Sequence, residues 1–209
     1  MKAARIHRFG SPEVIVLDDI TRPTPNADQV LVRVAAAGVG PWDALIREQK
    51  SVVNVPLPLT LGSDLAGIVE EVGDDVRHFK PGGKVYGATN PQFVGGYAEY
   101  ALASANMIAN KPKSLSFEEA ASAPIVAVTA WQMLFDYAKA QPGQSVLIQG
   151  AAGNVGAYTV QLACHAGLHV FATASSDNVL FVGELGAEKV VDYKTTRFED
   201  VVPQVDIVL

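Results

Sequence analysis

Short apolar and alternating runs dominate the first part of the chain: Val14–Leu17, Val30–Val34, Ala66–Val72, Lys84–Tyr86 and Tyr97–Leu102. Turn chemistry separates them, at Thr21-Arg22-Pro23-Thr24-Pro25-Asn26, Val72-Gly73-Asp74-Asp75, Lys80-Pro81-Gly82-Gly83 and Val94-Gly95-Gly96. Glycine supplies positive φ and proline presets φ, so such clusters punctuate strands. Many short strands spaced this way predict a barrel or sandwich over residues 1–120. Trp42–Arg47 reads as a short helix opened by Pro41.

The pattern changes after Ser114. Ser116 and Glu119 have the spacing of a capping box, a helix start in which each side chain satisfies the other residue's backbone N–H. Helical apolar spacing resumes from Val128 to Ala140 and is stopped by Gln141-Pro142-Gly143. From there strand and helix alternate: strand 145–149, helix 154–166, strand 169–173, helix 177–185, strand 189–192, a short helix near 197–201 and strand 205–209. Such alternation predicts a parallel, right-handed, doubly wound sheet. The fold class is therefore α/β plus β, with a β-rich domain followed by a doubly wound one over residues 121–209.

Composition narrows the function. The chain has 209 residues, 49% hydrophobic and 18% charged, a composition that forms cores. A net charge of −6 with no basic run excludes nucleic acid as the main partner. One cysteine, Cys164, leaves no disulfide and no cysteine-built metal site. The start, Met1-Lys2-Ala3-Ala4-Arg5, does not read as a signal peptide. No apolar run approaches the roughly 18 residues of a membrane helix. A cytoplasmic protein is expected.

The strongest chemical signal is Gly150-Ala151-Ala152-Gly153-Asn154-Val155-Gly156, set between the strand ending at Gln149 and the helix that follows. A tight Gly/Ala turn there lets backbone N–H groups approach a pyrophosphate, and the helix N-terminus adds partial positive charge. Gly150, Ala151, Gly153, Asn154, Val155 and Gly156 are thus candidate cofactor-binding residues. About 20 residues on, chains that bind NAD place an acid for the ribose. Here the strand ends Thr173-Ala174-Ser175-Ser176, with no carboxylate. Small and hydroxyl side chains leave room for a 2′-phosphate, which favours NADP(H), with Asn178 and Tyr193 as further contacts. Against this, no Lys or Arg occurs between Lys139 and Lys189, and Asp177 has the wrong sign. Helix capping is the competing explanation of Ser175-Ser176.

Several segments, in this order, resemble the zinc-free quinone oxidoreductase (zeta-crystallin-like) branch of the medium-chain dehydrogenase/reductase superfamily. They are Met1-Lys2-Ala3 with Phe9–Val14, Val34–Val39 with Pro41 and Asp43, Leu61–Gly67, Gly95–Tyr100, Gly150–Gly156, and Leu185–Ala187 running to Asp192-Tyr193. The resemblance implies a GroES-like β-barrel domain over 1–120 and a Rossmann NADP-binding domain over 121–209, with the nicotinamide in the cleft between them.

Zinc-dependent relatives carry Cys, His and Glu where this chain has Gly40, Ser63 and Asp64, and a catalytic zinc needs three protein ligands. His7, His78, His165 and His169 show no ligand spacing, so no metal is expected. The implied reaction is NADPH-dependent hydride transfer to a quinone or an α,β-unsaturated carbonyl, with the protein orienting the acceptor. The family's pocket segment reads Val-Asn-Pro-x-Asp, followed by a Tyr; Gly40 and Leu45 replace the Asn and the Tyr, which leaves the catalytic residues unassigned. Trp42, Asp43 and Arg47 remain as pocket candidates. An aromatic wall competes with a core role for Trp42, and an internal hydrogen bond and a salt bridge compete with chemistry for Asp43 and Arg47. Thr129 matches a position near the nicotinamide.

The resemblance further implies a homodimer. Family members run much longer, with sheet order 3-2-1-4-5-6. Val205–Leu209 matches strand four, so the chain is expected to be a fragment with an apolar sheet edge. The alternatives are a catalytically silent nucleotide-binding or interaction module, and an enoyl-thioester reductase. The latter needs a basic patch for a pantetheine phosphate, which the sequence does not offer.

Overall fold

A computed structural model describes residues 1–53 and 55–209 and divides the chain into two compact units, Met1–Ile125 and Val126–Leu209. In the first unit the strands are β1 (Lys2–Ile6), β2 (Ile15–Asp19) and β3 (Gln29–Ala37). Helix α1 (Pro41–Arg47) follows, then β4 (Leu59–Thr60), β5 (Asp64–Val72), β6 (Lys84–Ala88), β7 (Tyr100–Ser104), β8 (Ile108–Asn110) and helix α2 (Phe117–Ser122). They form a five-stranded antiparallel sheet in the order β7-β3-β5-β6-β8 and a three-stranded sheet β2-β1-β4. Ala3 makes an isolated bridge to Ala98.

Val30, Val32, Leu65, Val69 and Val85 build the core of the larger sheet. Branched side chains stiff at χ1 suit this pleated, half-buried surface. Two register shifts along the β3–β5 pairing, at Leu31/Val32 and Val34/Ala36, break its regular ladder. Ser116 and Glu119 exchange the two hydrogen bonds of a capping box at α2, as their spacing predicts.

The second unit contains α3 (Pro124–Trp131, which starts in the first), β9 (Ser145–Ile148), α4 (Asn154–His165), β10 (His169–Ala174), α5 (Val179–Glu184), β11 (Lys189–Asp192) and β12 (Ile207–Val208). Its sheet is parallel, in the order β11-β10-β9-β12, which is the 3-2-1-4 of a Rossmann sheet. Val146, Ile148, Val160, Ala163, Val170, Ala172 and Val182 form its core. β12 lies at the edge, and Val208 on it is exposed.

Several boundaries differ from those read in the sequence, and three of the shifts are informative. The helix expected from Val128 begins at Pro124 and turns π-type over Gln132–Tyr137. Val126, Ala130 and Leu134, four residues apart, are its buried stripe, so the apolar face starts earlier than the spacing from Val128 suggested. Tyr97 lies outside the strand that begins at Tyr100, because its N–H bonds to Leu61. The helix expected over 177–185 opens with a 3-10 turn, Ser176–Asn178, before α5. Among the described residues no helix is long and apolar enough to cross a membrane.

Gly183 on α5 faces open space, with nothing near the position of a Cβ. Gly183→Ala is therefore expected to stabilise the protein by about 0.5–1 kcal/mol, because alanine loses less backbone entropy on folding. Urea unfolding of the two proteins measures this directly.

Candidate functional site

In the second unit, the Gly150–Gly156 turn joins β9 to α4. Gly150 sits at φ +62°, and the Gly153 N–H closes the turn onto the Gly150 carbonyl at 2.9 Å. Thr173 ties the turn to the neighbouring strand: its carbonyl accepts from the Ala151 N–H at 3.1 Å and its Oγ1 from the Gly150 N–H at 3.3 Å. A Cβ on Gly156 would stand 2.4 Å from the Gly150 carbonyl oxygen and 2.8 Å from Ala151 Cα, so only glycine lets the helix start this close to the turn. No side chain caps α4 at Gly153. The N–H groups of its first turn, Asn154 and Val155 among them, have no acceptor within the helix. Bare amides, a close-packed glycine and a helix axis aimed at the turn fit the pyrophosphate of a dinucleotide.

The ends of β10 and β11 flank that cradle. Ala174 pairs in register with Asp192, and the Tyr193 N–H bonds to the Ala174 carbonyl at 3.2 Å, which places the Tyr193 backbone next to the Ser175-Ser176 step, its side chain exposed. Thr173 and Ala174 are buried. Asn178 Nδ2 donates to Ser175 Oγ at 2.8 Å, and Ser176 Oγ donates to Asp192 Oδ2 at 2.6 Å. Asp192 Oδ1 accepts from the Lys194 N–H at 2.9 Å. These bonds, that of Ser176 first, hold the Asp192 carboxyl below its usual range. A carboxylate thus sits at this corner of the site, from the third strand and not from the second, where sequence reasoning looked for one. Thr129 stands on α3 in the same unit.

In the first unit, the loop into α1 and the start of β5 form one hydrogen-bonded cluster. Trp42 Nε1 donates to Ser63 Oγ at 2.6 Å, Ser63 donates to Asp64 Oδ2 at 2.7 Å, and Asp64 Oδ1 accepts from the Ile125 N–H at 2.9 Å. Asp43 Oδ2 accepts from the Gly40 N–H at 2.8 Å and from the Tyr97 hydroxyl at 2.9 Å. A Cβ on Gly40 would lie 2.2 Å from the Trp42 ring, so the indole rests directly over the glycine backbone. Trp42 therefore spans Gly40 and Ser63, and Ser63 hands on to Asp64.

Burial controls the charges of this cluster. It raises the Asp43 carboxyl, against the Gly40 and Tyr97 donors; it raises Asp64 as well, and the Asp43 charge adds to the effect. Tyr97 is raised by burial and then by Asp43. Asp43 Oδ1 completes no hydrogen bond among the described residues.

Of the pocket candidates, Trp42 is half-buried, whereas Asp43 is buried. Arg47 donates from Nε to the Gly10 carbonyl at 3.0 Å and from Nη2 to Glu48 at 2.7 Å. Sequence reasoning did not select Tyr97 or Asp192 for the site, and treated Ser63 and Asp64 only as replaced metal positions. Acids in the apolar stretches Leu61–Gly67 and Val190–Tyr193 were the available signal. Among the described residues no group of three or more His, Cys, Asp or Glu is arranged to hold a metal. The thiol of Cys164 bonds to the Gly186 carbonyl at 3.2 Å and is raised by burial, as suits an inert side chain.

Residues 26–113 match the alcohol dehydrogenase GroES-like domain model. The chain is 42% identical over 202 residues to a quinone oxidoreductase of Mus musculus, covering 96% of this chain and 60% of that protein. It superposes on the quinone oxidoreductase of Coxiella burnetii with a TM-score of 0.89 at 37% identity, covering 100% of this chain and 68% of the other. It superposes on the Escherichia coli quinone oxidoreductase complexed with NADPH with a TM-score of 0.83 at 28% identity, covering 96% and 61%. The chain thus spans 60% of the length of the curated mouse relative.

Proposed function

The chain belongs to the quinone oxidoreductase branch of the medium-chain dehydrogenase/reductase superfamily, and from that membership we propose that it binds NADPH for zinc-independent hydride transfer to a quinone or an α,β-unsaturated carbonyl. The observation that carries the reading is the Gly150–Gly156 cradle, closed by Gly156 against the turn and left uncapped at the helix start. Bound NADPH supplies the hydride; the rest falls to the protein's own residues.

In this reading Gly150, Ala151 and Gly153, their own N–H groups bonded within the protein, shape the turn, and Asn154, Val155 and Gly156 offer their backbone N–H groups to the pyrophosphate. Thr173, Ala174, Ser175, Ser176, Asn178 and Tyr193 receive the adenosine ribose and its phosphate, and Thr129 serves the nicotinamide end. Residues 1–120 act as the acceptor domain and residues 121–209 as the nucleotide domain. Trp42 offers a flat acceptor an aromatic face, fixed by its Ser63 bond and by the glycine beneath it. Asp43 and Arg47 position that face: Asp43 holds the loop at Gly40, and Arg47 ties α1 to Gly10. The Trp42 N–H, Ser63 O–H and Tyr97 O–H all donate inward, so the proton that follows hydride comes from solvent. We place the protein in the cytoplasm as a homodimer.

Fluorescence titration with NADPH, followed by turnover with 9,10-phenanthrenequinone, tests this. Saturable NADPH binding and quinone-dependent NADPH oxidation are expected. Binding without turnover supports the silent nucleotide-binding module instead, and the absence of binding overturns both.

A further inference from the structure

We propose that Asp192 is a specificity-determining residue that opposes the 2′-phosphate, narrowing the margin by which the chain prefers NADPH over NADH. This rests on the nucleotide-binding reading above and adds to it the residue that tunes cofactor choice. Ser175, Ser176, Asn178 and the exposed Tyr193 are the side chains that the sequence offers to a 2′-phosphate, and the protons of Ser176 and Asn178 are already partly in use. A hydroxyl has a single proton to donate. That of Ser176 goes to Asp192 Oδ2 at 2.6 Å, so Ser176 presents only lone pairs to an incoming phosphate. Asn178 gives one N–H to Ser175 Oγ at 2.8 Å, which leaves the Ser175 O–H free of that bond. A phosphate at this step therefore meets fewer donors than its sequence suggests, and it meets a carboxylate.

Asp192 is fixed in that place. It pairs with Ala174 at the strand ends and accepts the Lys194 N–H at 2.9 Å. Lys194 is the nearby cation, and residues 140–188 contain no Lys or Arg to offset the charge from the turn or from β10. Asp177 adds a second acid on the 3-10 turn after β10. An unphosphorylated ribose carries hydroxyls that can donate to Asp192 or Ser176, so the same residue that repels the phosphate suits NADH.

Adenosine 2′,5′-bisphosphate and 5′-AMP probe the adenosine end alone and separate the two ideas. Isothermal titration of the 209-residue chain with both ligands is compared for the native protein, Asp192→Asn and Asp177→Asn. Asp192→Asn is expected to tighten 2′,5′-bisphosphate binding about tenfold, as removal of one charge beside a phosphate does, with 5′-AMP affinity changed less than about threefold. Asp177→Asn, whose charge makes no bond to Ser176, is expected to shift the ratio by clearly less. An unchanged ratio in Asp192→Asn overturns the inference and leaves the nucleotide reading standing. An equal shift in Asp177→Asn makes the effect one of net charge and also overturns it. So does loss of 5′-AMP binding in Asp192→Asn, which would make the residue structural. A native chain that binds neither ligand overturns the nucleotide reading, and this inference with it.

Discussion

Gly156→Ala is expected to abolish NADPH binding at concentrations that saturate the native protein. The added Cβ falls 2.4 Å from the Gly150 carbonyl oxygen and 2.8 Å from Ala151 Cα, and both are backbone atoms that no side-chain rotation can clear. The start of α4 must move off the turn, carrying the Asn154 and Val155 N–H groups away from the place where a pyrophosphate would accept them. A hydrogen bond to a charged group is worth about 1.5–3 kcal/mol, so losing two weakens binding on the order of 100-fold or more. Overpacking of this kind also destabilises by about 1–3 kcal/mol. Gly183→Ala, which meets open space, controls for the loss of a glycine as such. Equal NADPH affinity in Gly156→Ala and the native protein, by fluorescence titration, would show that the turn is not the nucleotide cradle.

The predictability of that turn has a physical reason. A strand, a glycine-rich step and a helix are each local patterns, and the parallel sheet that orders them follows from the alternation of strand and helix. β9, α4, β10 and β11 accordingly lie where the periodicity puts them, to within a residue or two. The first unit was less legible. β4 and β8 show no pattern of their own, because Leu59–Thr60 and Ile108–Asn110 are two and three residues long and pair with strands well separated in sequence, and in β1 the charged Lys2 and Arg5 interrupt the apolar pattern. The site was legible in the same proportion. The cradle is a contiguous segment, whereas the Trp42–Ser63–Asp64 chain links residues 21 positions apart and then reaches Ile125. Asp192 is not legible from local sequence, because the register of β10 with β11 brings a third-strand carboxylate to the end of the second strand, where the local sequence has none.

Replacing Asp64 by alanine is the substitution with the largest expected effect on stability. Asp64 is 4% exposed and Ser63 beside it is 0% exposed, so water cannot take over the bonds that are lost. Asp64→Ala deprives the Ser63 O–H and the Ile125 N–H of their acceptor. Leaving the buried Ser63 O–H without its acceptor costs about 1–3 kcal/mol, and losing the bond from the half-buried Ile125 N–H adds about 0.5–1.5 kcal/mol, a loss of about 2–4 kcal/mol together. Asp64→Asn keeps an oxygen for Ile125 and is expected to fall well short of that loss. It also separates geometry from charge through pH. Burial raises Asp64 above its ordinary 3.8, so just above that pH the folded protein holds a proton that the unfolded chain has released. Stability contributed by Asp64 is therefore greatest below 3.8, declines as pH rises through the folded value, and is flat beyond it. Asp43 has the same sign, whereas Asp19, Glu48 and Asp192, lowered by their partners, have the opposite one. The raw stability curve mixes these contributions, and the difference between native protein and Asp64→Asn isolates one of them. Urea unfolding across this range should show the native protein losing ground to Asp64→Asn as pH rises from 3.8. A flat or rising difference would mean that hydrogen bonds from Ser63 and Ile125, and not burial, govern the carboxylate.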